Sequence, residues 1–350
     1  MGNIIVKIWR GEAGLFRAFL FIPLGFLSLI YRGCLAIRES LFRTGMLKVE
    51  KAHIPVVSVG NITVGGTGKT PVVELLSKRL KQRGFSPGIV TRGYKRKRGG
   101  VFAVDAKADD AASVGDEALM LAKKTGLPVI VGKKRIQAVE VGVKKFGIDL
   151  AVLDDGYQVR DLKKDLDVLV ISGFSGTREG DLFPLGPYRE PLDMIRKAGV
   201  ILVSRGELSD GTKMHASGIP TFRLRYRPTF LYNVKRDLIG PCTYLEEKNV
   251  LAFAGLGNNR SFFESVKELG ADVVHTVEFP DHHTYTAADI ARLLTFKDAE
   301  MLVTTEKDAV KLNRLPIPEN LFYLAVEAVV EREEEFIEFV VRRLGGKDVN

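Results

Sequence analysis

The segment Ile54-Pro55-Val56-Val57-Ser58-Val59-Gly60-Asn61-Ile62-Thr63-Val64-Gly65-Gly66-Thr67-Gly68-Lys69-Thr70-Pro71 constrains this chain more than any other. A β-branched apolar run meets a glycine-dense turn, and Val72-Val73-Glu74-Leu75-Leu76-Ser77-Lys78-Arg79-Leu80 follows with helical periodicity. Strand, phosphate loop and helix in that order commit the surrounding chain to a P-loop α/β layer. Gly65, Gly66 and Gly68 let backbone N–H groups turn onto an anion, and the helix behind them adds its positive end. The expected nucleotide cradle is Thr63, Val64, Gly65, Gly66, Thr67, Gly68, Lys69 and Thr70. Lys69 would reach the β- and γ-phosphates, and the Thr70 hydroxyl would meet Mg²⁺. Thr63 stands where the pattern GxxxxGK[ST] has its first glycine, so the loop is a variant.

Beyond this loop, strand and helix alternate. Pro87 to Arg92, Val101 to Asp105, Pro128 to Val131, Leu150 to Asp155, Asp167 to Ser172 and Val200 to Ser204 read as strands, with helices over 116–124 and 135–146. Short, almost uninterrupted apolar runs separated by helices imply a doubly wound, mainly parallel sheet covered on both faces. The texture changes at Phe222-Arg223-Leu224-Arg225-Tyr226 and Phe230-Leu231-Tyr232-Asn233-Val234, which alternate on either side of Pro228 and read as a strand pair or exposed ribbon. Further strand and helix signals follow to the end. The expected organisation is an N-terminal segment 1–48, a P-loop core 49–220, a strand linker 221–236 and a second, smaller α/β domain 237–350.

Charge separates the possible partners. The net charge is +9, and residues 1–51 carry eight Lys/Arg against three acids, so more than half of the excess lies in the first 51 residues. Fourteen uncharged residues, Ala18 to Tyr31, are bracketed there by Arg17 and Arg32. That is short for a spanning helix unless the arginines snorkel, and no small-residue cleavage site follows. The better expectation is a basic, apolar anchor on an anionic membrane face, bent at Pro23 and Gly25. The run Lys95 to Arg98 lacks interleaved aromatic residues, which argues against nucleic acid. Cys34 and Cys242 lie far apart without metal-ligand spacing, as fits a reducing compartment.

Several acids could carry chemistry. Leu150-Ala151-Val152-Leu153-Asp154-Asp155 is an apolar strand ending in two carboxylates, the arrangement that brings an acid to Mg²⁺ at a sheet's carboxyl edge. Asp116 opens a helix after Gly115, where it can cap that helix or serve as the base a kinase needs near its acceptor hydroxyl. Asp281-His282-His283 holds adjacent histidines that point in different directions, a poor metal pair. Lys133-Lys134-Arg135 and Lys95 to Arg98 are basic clusters beyond strand ends, suited to solvent or to an anion.

Seven segments in order resemble the tetraacyldisaccharide 4'-kinases of lipid A biosynthesis. They are the loop Ser58 to Pro71; Arg92-Gly93-Tyr94; Gly115-Asp116-Glu117; Leu153-Asp154-Asp155-Gly156-Tyr157-Gln158; Pro184-Leu185-Gly186-Pro187-Tyr188-Arg189-Glu190-Pro191; Phe279-Pro280-Asp281-His282-His283; and Thr305-Glu306-Lys307-Asp308-Ala309-Val310-Lys311. The resemblance implies transfer of the ATP γ-phosphate to the 4'-hydroxyl of a lipid-linked glucosamine disaccharide 1-phosphate at the cytoplasmic face of the bacterial inner membrane, with no obligate protein partner. It implies that Asp116 acts as base assisted by His282, and that Thr70, Asp154, Asp155 and Glu190 serve Mg²⁺. Tyr157 stands where Phe is usual, Val159 where His is usual, and Asn259 replaces a common proline. A regulatory GTPase is the main rival, but Thr305-Glu306-Lys307-Asp308 has its lysine one place late for guanine recognition.

Overall fold

The computed structural model describes residues 9, 14–65, 68–173, 179–234, 239–312 and 315–345; Gly66 and Thr67 of the expected cradle lie outside them. Among the described residues thirteen strands form one sheet: β1 (Val56–Gly60), β2 (Pro87–Thr91), β3 (Phe102–Ala103), β4 (Val129–Val131), β5 (Leu150–Asp154), β6 (Leu166–Ser172), β7 (Val200–Ser204), β8 (Thr221–Asn233), β9 (Ile239–Pro241), β10 (Asn249–Ala254), β11 (Asp272–Glu278), β12 (Met301–Thr305) and β13 (Leu321–Val330). Their order is β11-β10-β12-β13-β8-β7-β6-β1-β5-β2-β4-β3, with β9 on β8.

Two parallel blocks meet back to back. β4, β2, β5, β1, β6, β7 and β8 run one way, and β11, β10, β12 and β13 run together. The seam is the antiparallel pair β8–β13. The first residues of β8, 221–224, pair with β7, and the strand then continues past it to pair with β13 through residue 233. Because the blocks are antiparallel and staggered, their carboxyl edges face one another across the seam. Doubly wound sheets place ligands beyond carboxyl edges, so this geometry directs two sets of loops at one cleft.

Helices cover both faces. They are α1 (Gly14–Arg43), α2 (Lys69–Gln82), α3 (Ala111–Val114), α4 (Asp116–Thr125), α5 (Arg135–Phe146), α6 (Asp210–Ala216), α7 (Asn259–Glu268), α8 (Ala287–Leu293), α9 (Glu306–Leu312) and α10 (Glu333–Arg343). On one face Val57 and Val59 of β1 pack with Leu76, Leu119 and Phe336 from α2, α4 and α10. On the other, Val56 packs with Ala138 and Val139 of α5. The period-2 alternation of the strands thus buries β1 on both sides.

Two strand expectations are corrected by the structure. The segment 101–105 forms only the two-residue edge strand β3, because the Asp105 carboxylate turns the chain by accepting the N–H groups of Lys107 and Ala108. The expected strand pair around Pro228 is a single strand, β8, whose partner β13 comes about a hundred residues later in the chain. Pro228 is tolerated because it pairs at the register shift between Leu324 and Val326, where a missing N–H breaks no regular ladder.

The N-terminal helix α1 spans 30 residues and runs through Pro23 and Gly25 without interruption. Its Leu20–Arg43 stretch is long and apolar enough to cross a membrane, and only 6% of its most apolar window is buried. Ile22, Phe26 and Leu29 are exposed, whereas Ser28 and Leu35 face the protein.

Candidate active site

Strand β1 delivers the chain to the phosphate loop, and Gly68 begins α2 in the left-handed conformation, φ 76°. A Cβ there would sit 2.1 Å from the Tyr226 ring, and the Tyr226 hydroxyl donates to the Gly68 carbonyl at 3.2 Å. A residue of the seam strand therefore packs directly on the phosphate loop. Lys69 follows at the first turn of α2, its Nζ 3.2 Å from Asn61 Oδ1 and 3.4 Å from Asp155 Oδ1. The loop lysine and the acid following β5 are thus neighbours, as the paired motifs predict.

A second cation reaches the same point. Arg189 donates to both carboxylate oxygens of Asp155, at 3.1 and 3.0 Å, and to Asn61 Oδ1. Burial pushes the Asp155 carboxyl up, but Lys69 and Arg189 outweigh it and hold the group well below the usual carboxylate range. Asp154 behaves oppositely. It is 2% exposed, accepts from Thr91 Oγ1 at 3.2 Å, and burial with the nearby charges of Glu117 and Asp155 pushes it up to about 7.

This donor set suits Mg²⁺, which is commonly held by one or two carboxylates and completed by phosphate oxygens and water. Burial and like charge penalise ionisation of Asp154, a penalty that a divalent cation would relieve. Among the described residues no three His, Cys, Asp or Glu groups cluster closely enough to hold a metal by themselves. Glu190 is 1% exposed and bound to Arg38 of α1 at 2.7 Å, so it faces the apolar helix.

Asp116 and His282 come from opposite blocks, 166 residues apart, and meet at 2.9 Å between Oδ2 and Nδ1. The N-cap of α4 is Gly115, φ 99°, with no side-chain cap; Asp116 is the first helical residue, its Oδ1 accepting the Glu117 N–H at 2.9 Å. Asp116 is therefore not the N-cap; one of its oxygens serves the first turn of α4 while the other meets His282. Burial pushes Asp116 up, but the His282 hydrogen bond and the Lys307 charge bring it below its ordinary value. His282 follows β11, has φ 58°, and packs under the Tyr94 ring at 4.9 Å. His283 points away to Asp289, 3.1 Å off.

The sequence reading assigned no role to Asn61, Arg189, Tyr226 or Lys307, although Asn61, Arg189 and Lys307 lie inside the quoted motifs. Arg135, read as part of a basic cluster, is buried and donates to the Gly132 carbonyl at 2.6 Å. Tyr157, in place of the usual Phe, is accommodated because its hydroxyl donates to the Met194 carbonyl at 2.6 Å.

The family model for tetraacyldisaccharide-1-P 4'-kinase matches residues 20–345. The tetraacyldisaccharide 4'-kinase of Shewanella baltica (strain OS185) is 36% identical over 345 residues, 98% of this chain and 96% of that one. That of Anaeromyxobacter sp. (strain K) is 35% identical over 325 residues, 87% of this chain and 85% of that one. Among solved structures, the "apo" form of LpxK from Aquifex aeolicus in complex with ATP superposes with a TM-score of 0.76 at 32% identity, covering 93% of this chain and 99% of that one. With the phosphate loop, the carboxylates beyond β5 and the Asp–His pair in one cleft, this chain belongs to the tetraacyldisaccharide 4'-kinase family, the ATP-dependent lipid kinases of lipid A biosynthesis.

Proposed function

We propose that the chain transfers the γ-phosphate of ATP directly to the 4'-hydroxyl of an acylated glucosamine disaccharide 1-phosphate, with Asp116 as the base. The observation that carries this reading is the 2.9 Å contact between Asp116 and His282 across the seam. A carboxylate ionised at neutral pH and oriented by an imidazole can accept a hydroxyl proton as the oxygen attacks. Lys69 and the loop N–H groups, with Arg189 close by, would neutralise charge developing on the transferred phosphoryl group. Thr70, Asp154 and Asp155 would hold Mg²⁺, whose charge would offset that of the nucleotide phosphates. Glu190 would join them through the carboxylate oxygen that Arg38 does not hold. The acyl chains would remain in the membrane, at an anionic surface on the cytoplasmic leaflet, while the sugar enters the cleft; the exposed apolar face of α1 supports the membrane contact itself.

The test is transfer of label from [γ-³²P]ATP to tetraacyldisaccharide 1-phosphate in detergent micelles. Wild type should yield labelled 1,4'-bisphosphate. Asp116→Asn and Lys69→Ala should each lose roughly a hundredfold or more in kcat. Nucleotide hydrolysis without labelled lipid would refute the acceptor, and an unimpaired Asp116→Asn would refute the base.

A further inference from the structure

Lys307, the second residue of α9, has no part in the reaction as set out so far. Its side chain is 17% exposed, and its Nζ lies 3.2 Å from His282 Nε2, 3.3 Å from Glu117 Oε1 and 3.6 Å from Asp281 Oδ1. The other groups facing His282 are Asp116 on Nδ1, the Tyr94 ring, and Asp281 at 3.8 Å from Nε2. Lys311, one turn further along α9, is turned aside to Asp308 and the His283 carbonyl.

The donor inventory selects one arrangement. An ammonium has three N–H groups and no lone pair, so where Lys307 Nζ meets Nε2 the ring nitrogen must accept. An ionised carboxylate only accepts, so Nδ1 must carry the hydrogen that binds Asp116. A neutral imidazole has one nitrogen of each kind, and its two neighbours therefore impose the same tautomer. Burial disfavours the charged form of Lys307, but Glu117, Asp116 and Asp281 outweigh it and keep the group an ammonium.

We infer that Lys307 is a positioning residue that holds His282 in the Nδ1–H tautomer, so that the single ring N–H is committed to Asp116 and Asp116 stays the proton acceptor. The inference rests on the reading of Asp116 and His282 as the base pair of the reaction. Without the ammonium, the ring can move its hydrogen to Nε2 and turn it toward Asp281. Asp116 would then face a ring lone pair, losing both its orientation and the donor that favours its ionised form.

The experiment uses the full chain in detergent micelles with ¹⁵N-labelled histidine. His282 is assigned by loss of its signals in His282→Gln, and its tautomer is read from long-range ¹H–¹⁵N correlations. Wild type should show protonated Nδ1 and unprotonated Nε2. Lys307→Met should shift the ring toward Nε2–H and lower kcat by about tenfold or more, with KM for ATP within about twofold. Lys307→Arg keeps a donor cation; it should retain the Nδ1–H tautomer and most of kcat, and serves as the folded comparison should Lys307→Met be poorly stable. An Nδ1–H tautomer unchanged in Lys307→Met overturns the proposal whether or not activity falls. A shifted tautomer with kcat within about twofold of wild type overturns its bearing on catalysis. The spectra need no substrate, so failure of wild type to phosphorylate the lipid would count against the kinase reading and not against the tautomer.

Discussion

At single residues, the cleft depends on a few positions where geometry leaves little choice. Gly68 has φ 76°, and its missing Cβ is where the Tyr226 ring lies. Gly68→Ala should weaken ATP binding about tenfold in a calorimetric titration, since left-handed backbone costs a residue with a Cβ roughly 1–2 kcal/mol before any clash. Adding Tyr226→Ala relieves the clash but not the backbone, so the double variant should recover only in part; full recovery would show that the strain is negligible. Asp116 makes a prediction of definite sign. Its folded pKa is lowered, so its contribution to stability is present in full above the unfolded carboxylate value of about 3.9 and is lost as pH falls through the folded value. The melting temperature of wild type should therefore exceed that of Asp116→Asn most at neutral pH, with the gap closing below about pH 4. A gap independent of pH would mean that the lost carboxylate charge is not the source of the difference. Lys69 was legible in the sequence because its motif is local; Asp116 and His282 drew attention through the family resemblance, since spacing left a cap as good a reading of Asp116 and gave the histidine no role. Arg189 and Lys307 were not assigned, because what each does depends on partners more than 20 residues away.

At the level of elements, α1 docks on the catalytic half in large part through the 182–190 loop, with Glu39 also pairing with Arg160 and Lys197. Ser28 donates to the Leu182 carbonyl and Tyr31 to the Arg189 carbonyl, both at 2.9 Å, while Arg38 pairs with Glu190. The same loop pairs with the start of the phosphate loop, Val64 N–H donating to the Pro187 carbonyl and Arg189 N–H to the Ile62 carbonyl, each at 2.7 Å. A continuous set of hydrogen bonds thus runs from the apolar helix to the nucleotide cradle. Removing Arg38 would strand the buried Glu190 charge. Arg38→Leu should cost about 1–3 kcal/mol, below the usual figure for a buried pair because Arg38 is one-third exposed, and Arg38→Leu with Glu190→Gln should recover most of it. Denaturant titration checks this; equal stability of wild type and Arg38→Leu would mean the pair is not coupled to folding. The apolar, basic character of this segment was plain from composition. Its docking onto the 182–190 loop was not, since one arginine among eight basic residues carries no mark of its partner.

The whole molecule is two parallel blocks joined through β8 and β13, with Asp116–His282, Lys307–Glu117 and Lys124 between Glu74 and Glu306 crossing the seam. A continuous hydrogen-bonded sheet with charged ties across the cleft should unfold cooperatively. Far-UV circular dichroism and tyrosine fluorescence should report coincident denaturant transitions, and two separated transitions would show that the blocks fold independently. By itself the sequence determined the strand–loop–helix of the nucleotide site and the alternation that makes a parallel sheet, because each is written in neighbouring residues with a period of 2 or 3.6; the acid and the histidine were singled out by the family resemblance, not by periodicity. Only the tertiary structure decided that β8 is one strand carried past Pro228 onto β13, that the two carboxyl edges face each other, and that Arg189, Tyr226 and Lys307 converge on the site. Those outcomes rest on pairing between segments about a hundred residues or more apart, and local periodicity encodes which face of a strand is buried but not which distant strand will lie beside it.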